Sequence, residues 1–126
     1  MYELKVRTRF SAAHRLTMVG QKCENLHGHN WNIEVCVAGR TLDKGGVLLD
    51  FGIIKQHLAE VIAEVDHQFL NDLEAFSQNP PSSENIARHI ARRLSSAIDT
   101  PSARVARVTA WESEDSCATY VVQEPP

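Results

Sequence analysis

Two runs of alternating residues, separated by a histidine-bearing loop, constrain this chain more than any other feature. Over residues 2–10 the apolar Leu4, Val6 and Phe10 alternate with Glu3, Lys5, Arg7 and Arg9. From Trp31 onward, Trp31, Ile33, Val35 and Val37 alternate with Asn32, Glu34 and Cys36. Successive side chains of a strand point to opposite faces, so each run predicts a strand with one face on a core. If the two pair antiparallel, the end of the first lies beside the start of the second. His14, just beyond strand one, then meets His27 and His29 at the entry of strand two.

Helical spacing takes over after the turn signal Asp43-Lys44-Gly45-Gly46. Asp50 can cap a helix carrying Ile54, Leu58, Val61, Ile62 and Val65 on one stripe and ending near Asp66. Beyond Asn79-Pro80-Pro81, Ser82 or Ser83 can cap a second helix with Ile86, Ile90, Leu94 and Ile98 at helical spacing. Asp99-Thr100-Pro101-Ser102 ends it. Two further strands, about residues 104–112 and 118–123, flank the turn Ser113-Glu114-Asp115-Ser116. The order β-β-α-α-β-β predicts an α+β fold, a four-stranded sheet with both helices on one face. The uncovered face and open edges predict a symmetric oligomer that joins sheets edge to edge.

At 126 residues the chain fits a single domain over residues 1–126. The 13 Lys+Arg and 16 Asp+Glu are interspersed and give a formal charge of -3, which does not point to a nucleic-acid partner. No segment approaches the roughly 20 apolar residues that span a membrane. The N-terminus reads as a strand and not as a signal peptide. Cys23, Cys36 and Cys117 are an odd set, which favours reduced thiols and a cytoplasmic location over a disulfide framework.

The chemistry concentrates around Cys23-Glu24-Asn25-Leu26-His27-Gly28-His29. His27 and His29 project to one side of an extended segment, and with His14 they supply three imidazoles, a set suited to zinc with its fourth position open. Cys23 has two readings: a fourth ligand closing a structural site, or an exposed, reactive thiol. Cys36 and Cys117 read as small packing residues. Asp66 and His67 form a carboxylate–imidazole pair that can help a thiol act as a base; a histidine set against a helix C-terminus is the alternative. His57 and His89 read as surface residues of the helices. Glu112 shares a strand face with Ala106, Val108 and Ala110, with Trp111 opposite. It can accept paired hydrogen bonds from an amidine-like N–H edge of a ligand, or simply face water at the strand terminus.

These residues, together with Phe10-Ser11-Ala12-Ala13-His14, Leu49-Asp50-Phe51-Gly52, Val65-Asp66-His67-Gln68-Phe69-Leu70-Asn71, Pro81-Ser82-Ser83-Glu84-Asn85 and Trp111-Glu112-Ser113, carry a resemblance nearly from end to end. The chain resembles the 6-pyruvoyl-tetrahydropterin synthase family, in particular its bacterial branch in queuosine biosynthesis. The resemblance implies the tunnelling fold (T-fold), an oligomeric barrel formed by trimers and a homohexamer of two stacked trimers. It implies Zn²⁺ on His14, His27 and His29, with Cys23 as general base and Asp66 and His67 as its relay. Glu112 would anchor a pterin ring, with Ser82, Ser83 and Glu84 contributing to substrate binding.

The implied substrate is 7,8-dihydroneopterin triphosphate. Loss of triphosphate and side-chain cleavage would give 6-carboxy-5,6,7,8-tetrahydropterin and acetaldehyde; the pyruvoyl-forming branch keeps the side chain. Three residues separate Cys23 from His27, the spacing of the carboxy-forming branch. Ser82 stands where the family usually has threonine, and Pro80-Pro81 departs from its usual loop. A metal-binding or pterin-binding module without catalysis is the reading from another class.

Overall fold

The computed structural model describes residues 1–17 and 25–123. Four strands, β1 (Tyr2–His14), β2 (His27–Gly39), β3 (Arg104–Trp111) and β4 (Cys117–Val121), form one antiparallel sheet in the order β1-β2-β3-β4. Helices α1 (Phe51–Ala63) and α2 (Ser83–Ile98) pack together on one of its faces. This is the expected α+β arrangement. Among the described residues no helix is long and apolar enough to cross a membrane.

β1 is longer than the alternation at its start suggested. The pairing runs without interruption from Tyr2↔Gly39 to His14↔His27. Phe10, Ala12 and His14 continue the buried face, so His14 is the last residue of the strand and not a loop residue beyond it. Small residues at 11–13 had hidden the period-two pattern. Trp31, opposite Phe10 in the pairing, stacks on that ring at 5.3 Å and 11°, forming the aromatic floor under the histidines.

The helices follow their caps. Asp50 accepts a hydrogen bond from Gly52 N–H (2.8 Å) at the start of α1, and Ser82 accepts from Asn85 N–H (3.1 Å) at the start of α2. Ile54, Leu58, Val61 and Ile62 of α1 and Ile86, Ala87, Ile90, Ala91, Leu94 and Ile98 of α2 are buried. Burying each large aliphatic side chain stabilises the fold by roughly 1.5–3 kcal/mol, far more than a cap's ~1 kcal/mol, so the apolar stripes hold these helices to the sheet. α1 stops at Ala63, short of Asp66. Its end tightens as Glu64 and Val65 N–H donate to Val61 and Ile62 carbonyls, and Val65 is buried from this turn.

Two strand details differ from expectation. The register shifts between Cys36 and Val37, whose partners are Arg107 and Val105, so Ala106 is the extra residue of a β-bulge. Val105, Val108 and Ala110 therefore form the buried face, and Ala106 does not share it. Cys117 opens β4 and is exposed, contrary to a packing role. Cys36 is buried as expected.

The face away from the helices is tied by polar cross-strand contacts. Thr109 and Thr119 hydroxyls lie 2.7 Å apart, and Arg107 donates to Glu3 at 2.9 Å. Burial and the Glu3 carboxylate push the Cys36 thiol beneath this pair up to about 11.

Candidate functional site

Strand pairing builds a histidine corner. The last residue of β1 lies opposite the first of β2, and side chains two apart share a face, so His14, His27 and His29 converge above Trp31. His14 is fully buried, whereas His27 and His29 are half-buried. The His14 and His27 Nε2 atoms lie 3.1 Å apart.

Their other ring nitrogens determine what those Nε2 atoms can do. His14 Nδ1–H donates to the Pro81 carbonyl at 2.8 Å, and His27 Nδ1–H donates to the Asn25 carbonyl at 2.8 Å. These partners assign the tautomers: in each neutral ring Nε2 carries a lone pair and no proton. Two lone pairs at 3.1 Å repel unless a cation lies between them. An imidazole whose far N–H is held by a backbone carbonyl is the usual arrangement of a metal ligand.

Glu112 completes the convergence. Just beyond β3, its carboxylate Oε1 lies 3.3 Å from His14 Nε2 and 3.3 Å from His29 Nε2. One donor atom from each of His14, His27, His29 and Glu112 falls within a mutual 4.8 Å, so this group can hold a metal ion. Borderline nitrogen donors with one carboxylate oxygen suit zinc and neighbouring first-row ions. Glu112 thus turns one carboxylate oxygen toward the histidines while 34% of its side chain stays exposed.

Asp66 and His67 lie on the turn that follows α1, where Asp66 N–H still donates to the Ile62 carbonyl of the helix at 2.9 Å. Asp66 Oδ1 accepts from Ser11 N–H (3.0 Å), and Oδ2 lies 3.0 Å from His67 Nδ1. The Ser11 N–H, with His67 adding to it, holds the Asp66 carboxyl below its ordinary value, so it remains an ionised acceptor for the imidazole.

His67 has φ +58°, a left-handed conformation uncommon for a residue with a Cβ, and its N–H donates to Ser11 O at 2.6 Å. The ring is 81% exposed and lines, with His29, Ser11, Gly28, Asn30 and Gln68, a groove of about 410 Å³. Of the three clustered histidines, His29 lines this groove with His67. Cys23 lies outside the described residues.

A second pocket, of about 210 Å³, is lined by Ser83, Glu84, Glu112, Ser116, Cys117 and Ala118. Three of the anticipated substrate-binding residues thus share one cavity. Ser82 is not among its lining residues; its hydroxyl caps α2. His57 is half-buried, and His89 is packed between Phe76 and Glu64, which corrects its reading as a surface residue.

Four residues contribute in ways that were not foreseen. Glu112 belongs to the histidine cluster; the strand order contained this signal, because Asn32↔Trp111 puts the end of β3 opposite the β2 segment that follows His29. The Pro81 and Asn25 carbonyls that orient two rings left no trace in a pattern of side chains. Asn71 exchanges two 2.8 Å hydrogen bonds with the Arg15 backbone, pinning the chain where it leaves His14.

Residues 3–123 match the family model described as 6-pyruvoyl tetrahydropterin synthase. A Bacillus subtilis protein named 6-carboxy-5,6,7,8-tetrahydropterin synthase is 31% identical over 130 residues, covering 99% of this chain and 80% of that protein. A Pyrococcus furiosus dihydroneopterin monophosphate aldolase is 32% identical, with 86% and 88% covered. The structure of Caenorhabditis elegans 6-pyruvoyl tetrahydropterin synthase superposes with a TM-score of 0.85 at 28% identity, covering 97% of this chain and 96% of that one.

Proposed function

The chain belongs to the 6-pyruvoyl tetrahydropterin synthase family, and on that premise we propose that it is a zinc-dependent lyase of 7,8-dihydroneopterin triphosphate. The products are 6-carboxy-5,6,7,8-tetrahydropterin, acetaldehyde and triphosphate, with one water taken up, as a step toward queuosine. The observation that carries this reading is the convergence of the His14 and His27 lone pairs with His29 beside a groove that His67 also lines. The Bacillus subtilis relative named for the carboxy product supports the choice of reaction.

His14, His27 and His29 hold the ion in this reading. Zinc supplies Lewis-acid polarisation of the substrate's side-chain hydroxyls. Cys23, four residues before His27, takes and returns the side-chain proton. Asp66 fixes the His67 imidazole through Nδ1, leaving Nε2 to exchange a proton with the thiol or substrate. Glu112 receives the N–H edge of the pterin, and Ser83 and Glu84 line the cavity beside it. Ser82 acts through the α2 cap that holds this loop. The uncovered polar sheet face supports a homohexamer of stacked trimers whose sheets join as a barrel, and the odd set of cysteines supports a cytoplasmic location.

Incubation with 7,8-dihydroneopterin triphosphate and mass analysis of the products tests the reaction. Carboxypterin with acetaldehyde is expected. A pyruvoyl product without acetaldehyde would move the chain to the side-chain-retaining reaction, and no conversion by folded, zinc-loaded protein would favour a binding module. Cys23→Ala is expected to abolish turnover while keeping zinc; loss of zinc in that variant would make Cys23 a ligand and remove it as the base.

A further inference from the structure

The cations of α2 are answered unevenly. Arg93 Nε donates to Glu64 at 3.3 Å, and a second nitrogen of the same guanidinium pairs with the other carboxylate oxygen. His89 Nε2 lies 3.7 Å from Glu64 as well. Arg88 and Arg92 pair with no carboxylate among the described residues. Four residues apart on one helix, their like charges repel.

Both arginines line one cavity of about 60 Å³, where α2 faces the segment 75–79. No carboxylate lines it, and each of its polar side chains, Asn79, Asn85, Arg88, His89 and Arg92, offers an N–H. Asn79 makes no side-chain hydrogen bond among the described residues. At roughly 30 Å³ per water the space holds about two waters, or one phosphate group. The helix N-terminus is not the source of this charge, because Asn85 N–H is already bonded to Ser82 Oγ and the arginines stand in the second and third turns.

We propose that this cavity binds a phosphate group, with Arg88 and Arg92 as its charged donors. Two guanidinium forks can each take a pair of oxygens, which a tetrahedral dianion supplies and a single carboxylate does not. None of the lining residues belongs to the histidine cluster or to the two cavities beside it. The two sites meet through one loop. Asn85 Nδ2 donates to the Pro80 carbonyl at 2.8 Å, and the next carbonyl, that of Pro81, holds His14. An anion held here sits against the loop that orients His14, and its binding does not depend on the pterin reading.

The test is calorimetric titration of inorganic phosphate into zinc-loaded protein, with ionic strength held constant by chloride. Wild type is compared with the double variant Arg88→Gln with Arg92→Gln and with its Lys counterpart, and circular dichroism confirms that each is folded. Loss of both guanidinium partners is expected to weaken phosphate binding about tenfold or more. The Lys pair, which keeps the charge without the fork, is expected to fall between. Arg92→Gln alone, at an exposed position, is expected to weaken binding too and serves if the double variant does not fold. Phosphate bound at zinc would persist in every variant.

No phosphate binding by wild type, or equal affinity in wild type and the folded Gln variants, would overturn the site. KM for 7,8-dihydroneopterin triphosphate distinguishes the sources once phosphate affinity has fallen. A parallel rise in KM would identify the substrate's own triphosphate as the occupant, and an unchanged KM a free phosphate; either result keeps the site. Arginine-dependent phosphate binding without any turnover would end the pterin reading and leave the site standing.

Discussion

His14 Nδ1–H donates to the Pro81 carbonyl at 2.8 Å, joining the end of β1 to the loop that starts α2 and turning the His14 Nε2 lone pair into the histidine corner. This bond serves both fold and site, because His14 is fully buried while its neighbour in the corner, His27, is only half-buried. His14→Ala is expected to lose the metal and also about 1–3 kcal/mol of stability through the orphaned carbonyl and the vacated space. His27→Ala should lose metal with a smaller stability change. Metal analysis and denaturant unfolding of the two variants check this; equal stability losses would contradict the structural role of the His14–Pro81 bond.

The Asp66 carboxylate should make an acid-dependent contribution. The Ser11 N–H and His67 lower its folded pKa below the ordinary 3.8, so its contribution is fully present above that value and is lost as pH falls through the folded pKa. Asp66→Asn should therefore lie below wild type in stability near neutrality, with the gap narrowing under acid. Turnover should fall as well, because the amide no longer fixes His67 with a charge. A stability gap independent of pH from neutrality to strong acid would contradict the assignment.

His89 acts in a nearer pH range. Burial beneath Phe76 lowers its pKa from 6.5, the Arg93 charge adds to this, and the Glu64 carboxylate opposes it without reversing the direction. A depressed pKa means that the unfolded chain takes up the proton first, so stability is lost as pH falls below 6.5 toward the folded value. In metal-free protein, His89→Gln should show a shallower loss of melting temperature over that interval than wild type. An unchanged slope would exclude His89 as a contributor.

The two cysteines of the described sheet should react differently. Cys36 is buried, with its thiol pushed up to about 11, so at pH 8 it remains protonated and enclosed; Cys117 is exposed. Alkylation followed by peptide mapping should modify Cys117 in native protein and Cys36 only after unfolding. Rapid native labelling of Cys36 would contradict its burial.

Much of the fold could be read from periodicity. Leu4-Val6-Phe10 and Trp31-Ile33-Val35-Val37 alternate cleanly, and the antiparallel pairing that follows brings His14 to His27 and His29. The exact end of β1 was less legible, because Ser11, Ala12 and Ala13 are too small to mark a buried and an exposed face. A bulge at Ala106 exchanges which residues of β3 face the core, and a one-residue insertion has no mark in composition. Glu112 was recognised as chemically important, but its proximity to the histidines depends on the order of strands across the sheet. The Pro81 and Asn25 carbonyls belong to the backbone, which every residue carries, so only the fold reveals their use.

The most direct measurement is turnover of 7,8-dihydroneopterin triphosphate by one preparation in three states: metal-loaded, chelator-stripped and reloaded with zinc, with acetaldehyde and carboxypterin quantified together. The expected result is equal amounts of both products from the loaded and reloaded protein and neither from the stripped protein. Undiminished product formation after complete removal of the metal, or none from folded protein with one zinc per chain, would contradict the assignment of His14, His27 and His29 as the centre of a metal-dependent pterin lyase.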